Sequence, residues 1–207
     1  MNEYQQSIVA EAEKIVTGIF QNNIEPMFVF HNLEHTRQVV SAVENVGRYY
    51  RLTDKEQFVL AIAGWFHDTG FSSGQVEEHE KGSIELATHF LYRHNVDQCI
   101  ISGVTCCIRA THMPQEPQNL VEKILCDADL YHLGTDSFIE RSELLKKELE
   151  HYYQKDMPEE EWRQLNIGFL QSHKYFTAYC RQVLQPVKLK WIEQLQNVQA
   201  APTCLKP

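Results

Sequence analysis

The sequence predicts an all-α, single-domain helical bundle, and three observations lead there. Apolar residues recur every three or four positions along most of the 207-residue chain, the period of a helix that buries one face. Nine glycines and seven prolines are too few for the frequent turns of a β-sandwich or barrel. Helix-start residues also stand where the apolar stripes begin.

Taken in order, Ile8, Ala12, Ile15, Val16 and Ile19 stripe a first helix that ends near Gln21-Asn22-Asn23. A second begins around Asn32 and carries Val39, Val40, Val43, Val46 and Tyr50. Thr53 with Glu56 forms a capping box and opens a third, whose Phe58, Leu60, Ile62, Ala63 and Phe66 make it apolar almost all round. That is the mark of a central buried helix. Asp68 to Gly82 reads as a loop because Gly70, Ser72, Ser73 and Gly74 crowd together. Helices follow from about Ser83 to His94 and from Asp97 through Ile108, then a break at Pro114 and Pro117. Asn119 with Glu122 starts the next, which Gly134 suits as a stop. Ser137 to Gln154 is a long, charge-rich helix expected on the solvated outside, and Pro158 with three glutamates suits a helix start. The organisation expected is an N-terminal helix over 1–27, a core over 28–135, C-terminal helices of the same domain over 136–199 and a flexible tail over 200–207. The aromatic-rich stretch Trp162 to Tyr179 is expected to complete the core or to cover the site.

A formal net charge of −9 argues against a nucleic-acid polymer as partner, since such binding rests on basic surface. A small phosphorylated substrate stays compatible if a metal ion supplies positive charge. No apolar run approaches the ~20 residues that cross a bilayer, so no membrane partner is expected. The six cysteines lack a CxxC spacing, and most read as buried thiols in a reducing cytoplasm.

Ten histidines are many for this length, and four features concentrate the chemistry. His31 and His35 lie four apart, so they project from one face if both are helical. His67-Asp68 stands where the apolar third helix meets a glycine-containing loop. His79 lies in the acidic run Glu77-Glu78-His79-Glu80. Asp127 and Asp129 interrupt an apolar helix, and a buried carboxylate needs a neutralising partner. Imidazole and carboxylate groups from separate helices, converging inside a bundle, are a recurrent metal site.

The segments Phe30-His31-Asn32-Leu33-Glu34-His35-Thr36, His67-Asp68-Thr69-Gly70 and Asp127-Ala128-Asp129-Leu130 together resemble the HD-domain phosphohydrolase superfamily, including bacterial HD-domain proteins of about this size. That superfamily carries an ordered H…HD…D set on an all-helical scaffold, and the likeness spans roughly residues 28–135 of this sequence. The resemblance implies His35, His67 and Asp68 as ligands of one divalent transition metal (manganese, cobalt, nickel, iron or zinc). The last aspartate falls on Asp127 or Asp129. Asp127 is preferred because family members commonly use the first acid of such a run, and Asp129 stays open as the alternative. By similarity to related cyclic-nucleotide phosphodiesterases, His31 is implied as a proton donor, although Phe30 replaces their tyrosine.

The implied activity is hydrolysis of a phosphoester or phosphoanhydride in a small nucleotide-like molecule by a metal-activated water, with Asp68 also orienting that water. His79, Lys81, Arg109 and His112 are candidates to support a ligand or touch substrate. His132 stands without supporting neighbours in the sequence. Two other functions share these residues: a regulatory module that binds a nucleotide without turning it over, and a di-iron oxygenase, which needs more histidine ligands than the sequence places.

Overall fold

Nine consecutive residues of one helix, Phe58 to Phe66, are buried, and the other helices are arranged around them. A computed structural model describes residues 1–74 and 76–197; the expected tail over 200–207 lies outside the described residues. The elements are α1 (Glu3–Asn22), α2 (Leu33–Tyr50), α3 (Asp54–Phe66), α4 (His79–Arg93), α5 (Gln98–Ala110), α6 (Leu120–Asp129), α7 (Phe138–Tyr153), α8 (Glu159–Ser172), α9 (Ala178–Val183) and α10 (Gln185–Asn197). Among the described residues there is no strand. Helix α3 packs against α1, α2, α4, α5 and α6, and its all-round apolar surface has no other way to leave water.

Local chemistry explains the boundaries. Asn2 with Gln5 and Thr53 with Glu56 make complete capping boxes, while Asn32 and Asn119 accept from the backbone N–H of His35 and Glu122. Each satisfies donors that a helix start leaves open. The cap at Asn32 does more than start α2, since it fixes where His35 leaves the first turn.

The loop expected over 68–82 is shorter than the sequence suggests. Thr69–Ser73 winds into a 3-10 turn and α4 begins at His79, four residues before the predicted start. Gly82, where the expected loop ends, lies inside α4, and the turn runs against it. A Cβ built on Gly82 meets the Cα of Gly70 at 3.1 Å. A Cβ on Gly70 would lie 1.8 Å from the carbonyl oxygen of His79. Ser83 locks this contact, accepting from the Gly70 N–H at 2.9 Å and donating to the His67 carbonyl at 2.6 Å. The glycines therefore serve close approach rather than looseness.

Helix α7 also departs from expectation. It was to be a solvated outer helix, but Phe138, Arg141, Ser142, Lys146 and Glu148 are buried. Helices α8 and α10 pack against each other, around a small cluster of Leu133, Phe138 and Leu170 with Trp191 and Ile192. Of the five described cysteines, Cys107, Cys126 and Cys180 are buried, Cys99 and Cys106 are exposed, and all five are free thiols.

Replacing Gly70 with alanine forces α4 off the 3-10 turn. The expected loss is about 3 kcal/mol of folding stability in urea unfolding, the upper range for overpacking. An unchanged midpoint would mean that the two backbones do not approach this closely.

Candidate metal centre

The ends of three helices bring the site together. His35 lies in the first turn of α2, His67 directly follows α3, and Asp129 closes α6. Each offers one ligand atom, and these atoms all lie within 4.8 Å of one another. His35 Nε2 is 3.1 Å from Asp129 Oδ1, and His67 Nε2 is 3.6 Å from the same oxygen. Asp68 faces both rings, its Oδ2 lying 3.2 Å from His67 Nε2 and 3.5 Å from His35 Nε2.

Orientation of the rings is set from behind. His67 Nδ1 donates to the Gly64 carbonyl at 2.9 Å, so its Nε2 turns inward with a free lone pair. His79 does likewise, with Nδ1 on the Val76 carbonyl at 2.9 Å and Nε2 at 3.6 Å from Asp68 Oδ1. Backbone acceptors behind imidazoles are the usual support of a metal-binding histidine.

The electrostatics are those of a cluster short of positive charge. Burial favours the neutral form of both central imidazoles. At His35 burial prevails and its pKa is lowered. At His67 the carboxylates of Asp68 and Asp129 overcome burial and raise its pKa well above the ordinary histidine value. Burial likewise opposes ionisation of Asp68, yet the neighbouring imidazoles, His67 first and then His79, hold that carboxyl well below the usual range. Asp129 is held low by His35 and His67 against the same burial.

Two buried polar atoms, His67 Nε2 and Asp68 Oδ2, have no hydrogen-bond partner among the described residues. Buried polar groups are almost always satisfied, and these two point at one another's neighbourhood from a set of imidazole and carboxylate donors. That donor set suits a first-row divalent metal, so the residues fit such an ion.

Asp127, the preferred fourth ligand, is elsewhere. Its carboxylate accepts from the Phe176 N–H at 2.7 Å, the Thr177 N–H at 2.8 Å and the Thr177 hydroxyl at 2.6 Å. It anchors the start of α9, where Thr177 is the cap. Residues two apart on a helix point about 200° apart, so Asp127 and Asp129 cannot share a centre. The alternative, Asp129, is the one brought to His35 and His67.

Other candidates separate in the same way. His31 comes to the site, its ring stacked on Phe71 with centroids 4.3 Å apart; His79 stacks on the same Phe71 at 4.2 Å. His112 Nδ1 reaches the buried Glu80 at 3.2 Å. Lys81 does not reach the centre. It is exposed and paired with Glu78 at 2.6 Å. Arg109 lines a different cleft, with Cys106 and Pro114.

Two functional neighbours escaped the sequence reading. Glu148 on α7 accepts from the backbone N–H of Phe30 at 2.8 Å and of His31 at 3.0 Å, and its other oxygen pairs with His31 Nδ1. Arg141 lies over the Phe30 ring at 4.3 Å and donates to the Phe30 carbonyl at 2.7 Å. His132 packs 6.4 Å from the His35 ring, and burial pushes its pKa down to about 3. It lies three residues after Asp129, in the 3-10 turn Tyr131–Gly134 that follows α6, and that short separation is the signal that could have found it.

The cluster opens on two sides. A cavity of about 360 Å³ reaches Asp68, Asp129, His31 and His79. A groove of about 560 Å³ along α2 reaches His35, Asp129 and His132.

No family model matches the sequence, and no curated protein matches it either. Among solved structures, the chain is similar to a crystal structure of a predicted HD superfamily hydrolase from an uncultured Thermotogales bacterium. The TM-score is 0.61 at 19% identity, over 90% of this chain and 88% of that one.

The two aspartates give a direct test. Asp129→Ala should lose bound divalent metal while keeping its unfolding midpoint. Asp127→Ala should keep the metal but lose about 3 kcal/mol of stability, because buried donors at the α9 start are left unpaired. Metal analysis and denaturant unfolding of both variants check this, and metal loss in Asp127→Ala alone would reverse the assignment. The helical order and this similarity give the chain an HD-domain-like, all-helical fold.

Proposed function

We propose that the chain is a metal-dependent phosphohydrolase acting on a small phosphorylated molecule such as a nucleotide. The observation that carries this reading is the buried convergence of His35, His67, Asp68 and Asp129, with unpartnered polar atoms facing inward, beside a cavity of substrate size. These four residues would hold one divalent transition metal. When bound, that ion supplies a hydroxide-forming water near neutral pH and a Lewis acid for phosphate oxygen.

The chain's own residues account for the proton movements. Asp68 Oδ1 faces the cavity side, 3.6 Å from His79 Nε2, and holds the attacking water in line while His79 steadies the carboxylate. His31 pairs through Nδ1 with Glu148, which leaves Nε2 to give a proton to the leaving oxygen. The water oxygen joins phosphorus as the ester P–O bond breaks; one water proton stays on the phosphate, the other passes to solvent, from which His31 is reprotonated, and the products are inorganic phosphate and the free alcohol. Glu148 is a positioning residue: it fixes the His31 ring and the backbone that carries it.

The test is phosphate release from a panel of esters with manganese, cobalt or nickel added. Turnover should appear with metal and vanish in His67→Ala and Asp68→Ala. His31→Ala should lower kcat by about 10²–10⁴ for alkyl esters and far less for a p-nitrophenyl ester, whose leaving oxygen needs no proton. Glu148→Gln should lower kcat for the same alkyl esters with metal content unchanged. Undiminished turnover in His67→Ala would sink the reading.

A further inference from the structure

Part of the lining of the 360 Å³ cavity that holds Asp68 and Asp129 comes from α7, α8 and the turn before them: Leu133, Phe138, Leu145 and Phe169. Two polar side chains interrupt that wall, Ser142 and Asn166, but they satisfy each other. Ser142 donates to Asn166 Oδ1 at 2.8 Å and accepts from Trp162 Nε1 at 3.1 Å, while the Asn166 amide donates to the Trp162 carbonyl at 2.8 Å. The wall is therefore an apolar surface with little demand for hydrogen bonds.

Apart from its imidazoles, the charged side chains that line this cavity among the described residues are carboxylates: Asp68, Asp129, Glu77, Glu78 and Glu80. Its nitrogen donors are imidazoles, of which His79 and His112 already face Glu80. The cations expected to meet phosphate are absent from it, since Lys81 pairs outward with Glu78 and Arg109 lines another cleft. Arg141 lies over the Phe30 ring, bonded to the Phe30 carbonyl. Arg37 stands on the groove along α2, which neither His31 nor Asp68 lines.

A site that binds polyphosphate needs cations for each phosphate beyond the one at the metal. Here a second or third phosphate would face glutamates. An uncharged ring would instead leave water against leucine and phenylalanine. Resting on the phosphohydrolase reading, we propose that the substrate carries a single phosphate, esterified to an uncharged group with an apolar or aromatic face that lies on Leu133, Phe138, Leu145 and Phe169. Water is the only co-reactant, and the products are the free alcohol and inorganic phosphate. Nucleoside di- and triphosphates are turned away by the glutamates.

Kinetics of the full manganese-loaded chain test this with benzyl and methyl phosphate, whose leaving oxygens are equally basic, and with a nucleoside 5′-monophosphate and its triphosphate. Benzyl phosphate should exceed methyl phosphate in kcat/KM by about tenfold or more, and the monophosphate should exceed the triphosphate. Leu145→Ala should narrow the benzyl preference, and Glu77→Lys should shrink the discrimination against triphosphate about fivefold. Equal rates for benzyl and methyl phosphate overturn the proposal and leave the hydrolase reading standing. So does a triphosphate preference that Arg37→Ala abolishes, which would seat the phosphates in the α2 groove. If no ester is cleaved, the hydrolase reading fails, and binding of benzylphosphonate against methylphosphonate still decides the apolar wall: tighter benzylphosphonate supports it and equal affinity refutes it.

Discussion

Placing two carboxylates and two imidazoles at the inner ends of apolar helices is the constraint to which the rest of this molecule answers. Water would ordinarily stabilise Asp68 and Asp129; in its absence burial keeps His35 toward its neutral form, while the two carboxylates draw a proton to His67. Held a few ångströms apart with little solvent, the four groups polarise each other, yet two of their polar atoms end without a hydrogen bond. Only a tightly packed surround can keep such an arrangement from relaxing. The buried α3 behind His67 and the glycine contact beneath Asp68 supply it.

Support also arrives from a distance in sequence. Glu148 and Arg141 of α7 grip both the amide and carbonyl sides of residues 30 and 31, more than a hundred positions earlier. A buried acid and a buried guanidinium are costly alone. Here each is bonded to backbone, so the segment before α2 has one position rather than several. The same stripe of that helix presents Phe138, Ser142 and Leu145 to the cavity, so the residues that hold one catalytic side chain alternate with those that shape the substrate space.

Much of the fold was legible because helices announce themselves locally. The stripe in α1, the all-apolar α3 and the asparagine and threonine caps are short-range signals, and the helices form where they stand. His35, His67 and Asp68 were legible through an ordered motif. The choice between Asp127 and Asp129 was not, because it depends on which face of α6 meets α2 and which meets the start of α9. Glu148 and Arg141 were hidden for a related reason: on a helix rich in charge, nothing local distinguishes a buried acid from a solvated one. Gly70 misled in the opposite sense, since a glycine needed for close packing looks the same in sequence as one that marks a loop.

The grip of α7 on residues 30 and 31 has an evolutionary corollary. A protein whose reacting groups sat wholly within residues 28–135 could exchange its C-terminal helices freely and acquire new substrates by swapping walls. In this chain the helix that forms the wall also clamps the segment bearing His31. Changes in substrate preference are thereby confined to cavity side chains such as Ser142 and Leu145, whose neighbours on the same stripe of α7, Arg141 and Glu148, must be inherited intact.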